Sequence, residues 1–435
     1  MRFIVNPSQI TDASVTVPGD KSISHRALML GTIAEGTTEV SGFLAGEDCL
    51  STLAAMRALG VTVRQSDATE MSIDGVGLRG MHAPSQELDL GNSGTAMRLM
   101  TGLMCGQTFN CVMGGDESLN CRPMGRIIKP LSQMGAAIQG NDGKPPLTVR
   151  GSSALQAIHY QMPVASAQVK SAILLAGLYA SGETIVTEPA VTRDHTERML
   201  GAMGVEVTSA SGRISMQGGQ TLAACEVMVP ADLSSAAFVI LAAVLADNAD
   251  IKILNVGVNS SRTGVIDILK AMGADISLEN PQLLGKEPVA DIRVRSSVLQ
   301  GGKVGPGLVS LAIDEFPVLF VAAAAARGKT EFSGIGELRV KESDRISAMA
   351  EGMRILGIEV DETADGAVVH GGRFDGGTVQ SHGDHRVAMS LAVAASIASD
   401  TVIIDDVGSV DTSFPGFNGC MGAIGLDISS EESTK

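Results

Sequence analysis

Residues 53–63 read LAAMRALGVTV, a helix-forming run that is broken by Gly60 and followed at once by β-branched residues. A glycine directly after a helix adopts a positive φ without steric penalty, so this pattern is typical of a helix that ends at glycine and precedes a strand. The same phrase recurs at Gly135, Gly204, Gly273, Gly357 and Gly425, at intervals of 68 to 84 residues. This periodicity predicts six α/β units of about 70 residues.

The six units divide into two halves of three, which indicates an internally duplicated α/β protein. A chain of 435 residues also exceeds the size of one ordinary hydrophobic core, so two domains are expected. Their boundary should fall near residues 229–232. Two apolar stretches, residues 236–246 and 316–326, are shorter than the ~20 residues that a membrane helix needs. We therefore expect buried helices there and no membrane association.

The composition argues against several classes of function. The chain has 32 basic and 48 acidic residues, a net charge of −16, whereas nucleic-acid binding depends on neutralising phosphates. It has no Trp and two Tyr, which argues against a stacking platform for single strands. Its six Cys form no C-x-x-C pair and no metal-ligand spacing. We expect reduced, buried thiols in a cytoplasmic protein, and no metal site.

Six short polar phrases each precede an apolar helical run, and most of them contain Arg or Lys. A helix N-terminus presents unpaired backbone N–H groups and the positive end of the helix dipole, so it favours anions. In an otherwise acidic protein, this repeated combination predicts a pocket for small, highly charged anionic metabolites. The phrases are residues 19–26, 92–98, 122–126, 166–171, 339–345 and 384–386.

The first phrase admits two interpretations. Asp20 or Ser22 can be the N-cap of a helix, with Lys21 and Arg26 solvated. Two cations flanking a first turn nevertheless oppose the helix dipole, and a protein tolerates them when an anion binds there. We favour the anion. Residues 92–95 also predict an N-cap, in which Gly94 permits close approach of backbone and ligand.

Three further phrases combine helix capping with chemistry. Arg122-Pro123 predicts proline at the first helical position, with the guanidinium of Arg122 aimed at the helix entrance. Ser166 is predicted to cap an Ala/Leu-rich helix, and Ser166 and Gln168 can also hydrogen-bond a hydroxylated ligand. Asp314 is either an N-cap or, beside bound anions, a general base.

The remaining phrases bring charged residues to helix starts. Alternating charges such as those of residues 339–345 usually form a solvated salt-bridge face. Here they place Lys341, Glu342 and Arg345 on or near a first turn. In residues 384–386, His385 is as well suited to a structural hydrogen bond as to proton transfer.

Taken together and in order, these phrases resemble the 5-enolpyruvylshikimate-3-phosphate synthase family, from about residue 17 to residue 417. The matching motifs are Lys21-Ser22-x-x-x-Arg26, Gly91-Asn92-x-Gly94-Thr95, Arg122-Pro123-x-Gly125, Ser166-Ala167-Gln168-Val169-Lys170-Ser171, Arg339-Val340-Lys341-Glu342-Ser343-Asp344-Arg345 and Asp384-His385-Arg386. The resemblance implies an α/β fold of two similar domains, each of three βαβαββ units with buried parallel helices and outer sheets, an inside-out α/β barrel. It implies a first domain of residues 1–19 plus 232–435, a second of residues 20–231, and an active site in the cleft between them.

The resemblance also implies a reaction. The enolpyruvyl group of phosphoenolpyruvate is transferred to the 5-hydroxyl of shikimate 3-phosphate, and phosphate is released, by addition and elimination through a tetrahedral intermediate. This step belongs to the shikimate pathway, which leads to chorismate and the aromatic amino acids. No cofactor is implied, and we expect a cytoplasmic monomer whose partners are these two small-molecule substrates.

The family's functional residues can be carried over to the matching positions. By resemblance, shikimate 3-phosphate is held by Lys21, Ser22, Arg26, Ser166, Ala167, Gln168, Arg193, Asp314 and Lys341. Phosphoenolpyruvate is held by Lys21, Gly94, Arg122, Gln168, Arg345 and Arg386. Asp314 is the implied base on the 5-hydroxyl, and Glu342 with Lys21 or Lys341 are the implied proton donors to the methylene carbon. The sequence leaves open which of them delivers the proton.

Two positions depart from the family pattern, and two alternatives remain. Thr412 stands where some members have Lys, and Leu99 where many have Pro.

The sister family that uses UDP-N-acetylglucosamine has a reactive Cys five residues before an Arg-Pro pair, where this chain has Glu117. A non-catalytic anion-binding protein on the same repeat would need no carboxylates in its site. Asp314 and Glu342 count against it.

Overall fold

The six repeated helix ends are confirmed. The computed structural model describes residues 1–432, and in it each of the six glycines has a positive φ, between 83° and 104°. Each glycine lies two residues after the end of a helix, and a strand begins two or three residues beyond it. Glycine is needed at these positions because other residues rarely adopt this backbone conformation.

Helices and strands are interspersed along residues 1–432. The α-helices are α1 Lys21–Ile33, α2 Glu47–Ala58, α3 Gly94–Cys105, α4 Glu117–Asn120, α5 Gly125–Gln133, α6 Ala167–Gly177, α7 His195–Ala202, α8 Leu233–Leu245, α9 Gly264–Ala271, α10 Val309–Ala312, α11 Phe316–Ala325, α12 Arg345–Ile355, α13 His385–Ala395 and α14 Phe417–Ala423. The strands are β1 Arg2–Asn6, β2 Ala13–Val15, β3 Ala34–Ser41, β4 Thr62–Gln65, β5 Met71–Val76, β6 Leu88–Asp89, β7 Asn110–Gly114, β8 Ala137–Asn141, β9 Lys144–Arg150, β10 His159–Gln161, β11 Glu183–Thr187, β12 Val207–Ala210, β13 Arg213–Gln217, β14 Leu222–Ala223, β15 Glu226–Met228, β16 Asp250–Gly257, β17 Asp275–Leu284, β18 Glu287–Arg295, β19 Lys303–Val304, β20 Lys329–Ser333, β21 Val360–Thr363, β22 Gly366–His370, β23 Gly377–Gln380, β24 Val402–Asp405 and β25 Asp427–Glu431.

The strands form six small sheets of one topology. In each sheet an edge strand runs parallel to its neighbour, and that neighbour is antiparallel to the next strand. The orders are β14-β3-β5-β4 with β15 also on β3, β6-β7-β9-β8, β10-β11-β13-β12, β2-β16-β18-β17, β19-β20-β22-β21 and β23-β24-β1-β25. A buried helix follows each edge strand and a second helix follows its neighbour, which confirms the predicted βαβαββ repeat.

The beginning of the chain completes two of these repeats. Strand β1 pairs with β24 and β25 near the other end of the chain, and β2 pairs with β16. The sheets that contain β1 and β2 are therefore closed by contacts between residues that are more than 200 positions apart in the chain. No local sequence pattern specifies such pairings.

The chain divides into two compact units. Unit 1 comprises residues 1–18, 230–283 and 288–435, and unit 2 comprises residues 19–229 and 284–287. Each unit contains three of the six sheets and its own hydrophobic core. The predicted placement of an active site in a cleft between two domains stays a prediction.

Three helices contribute extensively to the hydrophobic core of each unit. These helices are almost entirely buried, namely α1, α3 and α6 in unit 2 and α8, α11 and α13 in unit 1. The two apolar stretches predicted to be buried helices are confirmed as α8 and α11. Small residues allow close packing, because a Cβ atom on Gly102 of α3 would lie 2.2 Å from the carbonyl oxygen of Ala172 in α6.

The cysteine prediction is partly wrong. All six cysteines are free thiols, but only Cys49, Cys105 and Cys111 are buried. Cys121 is exposed, because it follows the short helix α4 at the surface. Within residues 1–432, no helix is both long and apolar enough to cross a membrane.

Candidate functional site

The first turns of three buried helices meet in unit 2. Helices α1, α3 and α6 are each capped by a side-chain oxygen of the preceding residue, from Asp20, Ser93 and Ser166. The sequence predicted Ser166, left Asp20 and Ser22 open, and predicted a cap within residues 92–95. Between α3 and α6, Gln168 donates to Thr95 Oγ1 at 2.9 Å and accepts from Arg98 Nη1 at 2.7 Å. These bonds hold the amino ends of α3 and α6 together.

A buried histidine links the turns of α1 and α3. His25 Nε2 lies 3.3 Å from Ser93 Oγ, and its Nδ1 lies 2.8 Å from Thr52 Oγ1. Burial, together with the positive charges of Lys21 and Arg26, lowers the pKa of His25 well below its usual value. The imidazole is therefore neutral at physiological pH and serves as a hydrogen-bonding link.

Arg26 links α1 to α6 and α7. Its Nε donates to Thr196 Oγ1 at 2.7 Å, its Nη2 to Ser171 Oγ at 2.8 Å, and its Nη1 to the carbonyl oxygen of Ser22 at 2.9 Å. Burial lowers the pKa of Arg26 to about 10, and the nearby charge of Arg193 acts in the same direction. Arg26 and Arg193 are thus two cations close together, an arrangement that a bound dianion would stabilise.

Lys21 and Arg122 bring further positive charge to the first turns of unit 2. Lys21 Nζ forms an ion pair with the buried Asp48. The Nη2 of Arg122 donates to Asn92 Oδ1 and to Ser118 Oγ. A Cβ atom on Gly94 would lie 3.1 Å from Arg122 Nη1. We refer to Lys21, Arg26, Arg98 and Arg122 as the unit 2 cluster.

The predicted position of Pro123 is wrong. Pro123 lies in the turn between α4 and α5, and α5 begins at Gly125 with Met124 as its N-cap. The reason is that α4, which the sequence analysis missed, occupies residues 117–120 and ends just before Arg122. Ser22 and Ala167 lie in the first turns of α1 and α6, where they were expected.

Lys170 has a structural role in the same unit. Its ammonium group is buried, 2.7 Å from Glu197 Oε1 and 3.3 Å from Glu188 Oε2. Two carboxylates therefore compensate its charge inside the core.

In unit 1, Asp314 faces two cations. Its Oδ1 lies 3.6 Å from Lys341 Nζ and 3.5 Å from Arg345 Nη1. The interpretation of Asp314 as an N-cap is wrong, because the residue before α11 is Glu315 and no side chain caps that helix. The Asp314 carboxylate is instead directed to the start of α12, where it is partly accessible.

Arg345 lies at the centre of the acidic and basic groups of unit 1. The side chain is 1% exposed, and its Nε donates to Asp384 Oδ2 and its Nη2 to Glu342 Oε2, both at 2.7 Å. Burial acts to lower the pKa of Arg345, but Asp384, Glu342 and Asp314 outweigh it and raise the pKa above its ordinary value. Burial likewise acts to raise the pKa of Asp384, and the charge of Arg345 outweighs it and lowers that pKa.

Arg386 connects the first turn of α13 with the start of α11. Its Nη1 donates to the carbonyl oxygen of Asp314 at 3.0 Å and lies 3.7 Å from Glu315 Oε1. As predicted, α13 starts at this phrase, and Asp384 caps it. His385 Nε2 lies 3.0 Å from Ser413 Oγ. We refer to Asp314, Glu315, Lys341, Glu342, Arg345 and Arg386 as the unit 1 cluster.

Thr412, which stands where some family members have Lys, has a role in the local structure. Thr412 is buried and donates from Oγ1 to the carbonyl oxygen of Ser409 at 2.7 Å, in a 3-10 turn. This residue therefore stabilises the loop before α14 and contributes no charge.

Several residues in or beside these clusters were not identified as candidate site residues from the sequence. Glu315, Arg262 and Ser234 form one buried group in unit 1, and Ser171 with Thr196 holds Arg26 in unit 2. A signal existed for Glu315, because glutamate is a poor N-cap residue and its presence directly before a helix is unusual. None existed for the others, whose partners lie 25 or more positions away.

Comparison with known proteins decides the family. The sequence model described as EPSP synthase (3-phosphoshikimate 1-carboxyvinyltransferase) matches residues 5–421. This chain belongs to the EPSP synthase family. A 3-phosphoshikimate 1-carboxyvinyltransferase of Alkalilimnicola ehrlichii is 53% identical over 430 residues, 98% of this chain and 96% of that protein. Its counterpart in Nitrosococcus oceani is 53% identical over 418 residues, 96% of this chain and 94% of that protein.

Solved structures agree with the sequence comparison. An EPSP synthase from Acinetobacter baumannii is 49% identical, has a TM-score of 0.89, and is matched over 99% of this chain and 100% of that one. The resemblance derived from the ordered motifs is therefore confirmed, and so is the predicted α/β fold class.

Proposed function

We propose that this chain transfers the enolpyruvyl group of phosphoenolpyruvate to the 5-hydroxyl of shikimate 3-phosphate and releases phosphate, as a step in aromatic amino acid biosynthesis. One structural observation supports the proposal independently of family membership. In each unit the first turns of three buried helices meet, and Arg or Lys side chains gather at that end. Dipole ends and cations at one place favour highly charged anions.

The substrates explain the number of cations. The two molecules carry two phosphates and two carboxylates, which repel one another before a hydroxyl can approach the enol carbon. Charge-assisted hydrogen bonds contribute about 1.5–3 kcal/mol each, so several are required to offset this repulsion. We assign shikimate 3-phosphate to Lys21, Ser22, Arg26, Ser166, Ala167, Gln168, Arg193, Asp314 and Lys341. We assign phosphoenolpyruvate to Lys21, Gly94, Arg122, Gln168, Arg345 and Arg386.

These assignments draw residues from both clusters, so the proposal requires that the two clusters act as the halves of one active site. The support is chemical. Unit 2 supplies cations with neutral hydrogen-bonding groups, whereas unit 1 supplies cations with carboxylates. The carboxylates proposed for acid–base chemistry come from unit 1, and the cations proposed to bind the four anionic groups come from both units.

The reaction consists of two steps. In the addition, Asp314 removes the proton of the 5-hydroxyl, the oxygen bonds to C2 of phosphoenolpyruvate, and the methylene carbon takes a proton from Glu342, Lys21 or Lys341. In the elimination, the new methyl group returns a proton, the C–O bond to phosphate breaks, and phosphate leaves. Cations that contact the phosphate and carboxylate stabilise the charge that develops in both steps.

Phosphate release tests the proposal directly. We expect release from phosphoenolpyruvate when shikimate 3-phosphate is added and none when it is omitted. The sister reaction is excluded if UDP-N-acetylglucosamine supports no release. Glu117, where that family has its reactive Cys, begins α4 and offers no thiol. A purely binding protein would bind both substrates without releasing phosphate, and that result would overturn the proposal.

A further inference from the structure

Glu315 occupies a cap position without acting as a cap. It directly precedes α11, yet no backbone N–H of that helix donates to its side chain. The residue is 2% exposed, so its carboxylate is a buried charge in unit 1. A buried carboxylate is costly unless other groups compensate it, and this one must therefore be explained by what it faces.

The carboxylate of Glu315 faces a hydroxyl and two guanidinium groups. Its Oε1 accepts a hydrogen bond from Ser234 Oγ at the start of α8 and lies 3.8 Å from Arg262 Nη2 and 3.7 Å from Arg386 Nη1. Arg262 is itself bonded to Asp232 and Ser234. The Oε2 atom of Glu315 has no hydrogen-bond partner among residues 1–432. One oxygen thus serves as the shared counterion of two arginines.

The two arginines differ in their freedom to move. The Arg262 side chain is 4% exposed, whereas that of Arg386 is 12% exposed. Arg386 contacts the carbonyl oxygen of Asp314 and the carboxylate of Glu315. We therefore expect that neutralising the Glu315 carboxylate displaces Arg386 rather than Arg262.

We propose that Glu315 is a positioning residue, which fixes the guanidinium of Arg386 for phosphoenolpyruvate. This inference rests on the proposed function, in which Arg386 contacts that substrate. Neutralising Glu315 leaves two guanidinium groups facing each other without their common anion, and their repulsion moves Arg386 out of its binding position. Neutralising Glu315 also makes the site more positive, an effect that by itself lowers KM for phosphoenolpyruvate. Displacement of Arg386 raises that KM, so the direction of the change distinguishes the two effects.

The test is a steady-state comparison of the Glu315→Gln variant with the wild-type enzyme. We expect KM for phosphoenolpyruvate to rise about tenfold, the equivalent of one charge-assisted contact, while KM for shikimate 3-phosphate stays within about twofold. Glu351→Gln, which neutralises an exposed carboxylate of α12 beside His382, is the matched control and should leave both constants unchanged.

A double-mutant cycle separates positioning from a general structural role. In the Arg386→Lys background, Glu315→Gln should add less than about twofold to KM for phosphoenolpyruvate, because the residue acts through Arg386. If Glu315→Gln does not fold, Ser234→Ala removes the hydroxyl bond but keeps the charge, and should raise the same KM about threefold.

Each outcome has a defined meaning. An unchanged or lower KM for phosphoenolpyruvate in both Glu315→Gln and Ser234→Ala, or fully additive effects with Arg386→Lys, overturns the positioning role while the proposed function stands. A wild-type enzyme that releases no phosphate with shikimate 3-phosphate overturns the proposed function, and the positioning role with it.

Discussion

The hydroxyl oxygens of Ser171 and Thr196 lie 2.7 Å apart, and both accept hydrogen bonds from the guanidinium of Arg26. They come from α6 and α7, whereas Arg26 comes from α1. Three helices of unit 2 are thus fixed around one buried cation, and its orientation depends on two neutral oxygens rather than on a carboxylate. The charges of Glu197, Asp20 and Glu287 also act on Arg26 and favour its protonated form.

Thr196→Val should weaken the use of shikimate 3-phosphate. The substitution keeps the shape of the side chain but removes the acceptor for Arg26 Nε, which is a charged hydrogen bond worth about 1.5–3 kcal/mol. We expect KM for shikimate 3-phosphate to rise about tenfold, measured by phosphate release. Thr184→Val is the control, since the buried Oγ1 of Thr184 has no hydrogen-bond partner among residues 1–432. Equal kinetics for the two variants would contradict the assignment.

Gly94→Ala should weaken the use of phosphoenolpyruvate without unfolding the protein. The added Cβ atom would lie 2.8 Å from Arg98 Nη1 and 3.1 Å from Arg122 Nη1, and both are ends of flexible side chains that can shift. Displaced guanidinium groups should raise KM for phosphoenolpyruvate about tenfold. Gly422→Ala in α14, where a Cβ atom meets nothing within 4 Å, should leave KM unchanged. An unchanged KM in Gly94→Ala would contradict the assignment of Gly94 and Arg122 to phosphoenolpyruvate.

His25 should make the protein less stable as the pH falls. Burial lowers the pKa of His25 in the folded state, whereas the unfolded value is about 6.5. The unfolded chain therefore binds the proton more readily than the folded protein. The contribution of neutral His25 to the free energy of unfolding is fully present above about pH 6.5 and is lost as the pH falls toward the folded pKa. His25→Gln can retain hydrogen bonds to Thr52 and Ser93 but does not titrate. Its urea midpoint should fall less between pH 8 and pH 5 than that of the wild type.

An exposed histidine provides the control for this pH experiment. His159 on β10 lies at the surface of unit 2, 3.2 Å from Thr187 Oγ1. His159→Gln should keep the pH dependence of the wild-type urea midpoint. If His25→Gln also keeps it, the burial of His25 does not govern acid stability.

The parts of the fold that could be predicted are those with a local cause. The six glycines at positive φ, the cap at Ser166 and the caps expected at residues 20 or 22 and within residues 92–95 each depend on a few adjacent residues, and the structure confirms them. Local patterns also marked α8 and α11 as buried, because an uninterrupted apolar helix has no polar face for solvent.

The wrong interpretation of Asp314 and the missed contact of Glu315 have a different cause. Asp314 has the residue type of a cap, but its carboxylate is attracted to Lys341 and Arg345, which follow it by 27 and 31 positions. The bond between Ser234 and Glu315 spans 81 positions. Such contacts are selected by tertiary packing and leave no periodic trace in a single sequence. The family resemblance supplied the residues proposed to bind substrate, but not the neighbouring residues that contact them.

Asp314→Asn should lower turnover more than substrate binding. The amide keeps the size of the side chain and still contacts Lys341, but it cannot accept the proton of the 5-hydroxyl. General base catalysis contributes about 10²–10⁴-fold, so kcat should fall by that factor while both KM values change by less than about fivefold. Arg122→Ala should show the reverse, a higher KM for phosphoenolpyruvate with a smaller loss of kcat. Asp361→Asn, at an exposed position on β21, is the control for the loss of a carboxylate. The substitution Asp314→Asn removes the negative charge and the basicity of the side chain but keeps its size. A kcat for Asp314→Asn equal to that for Asp361→Asn would therefore contradict the role of Asp314 as the general base.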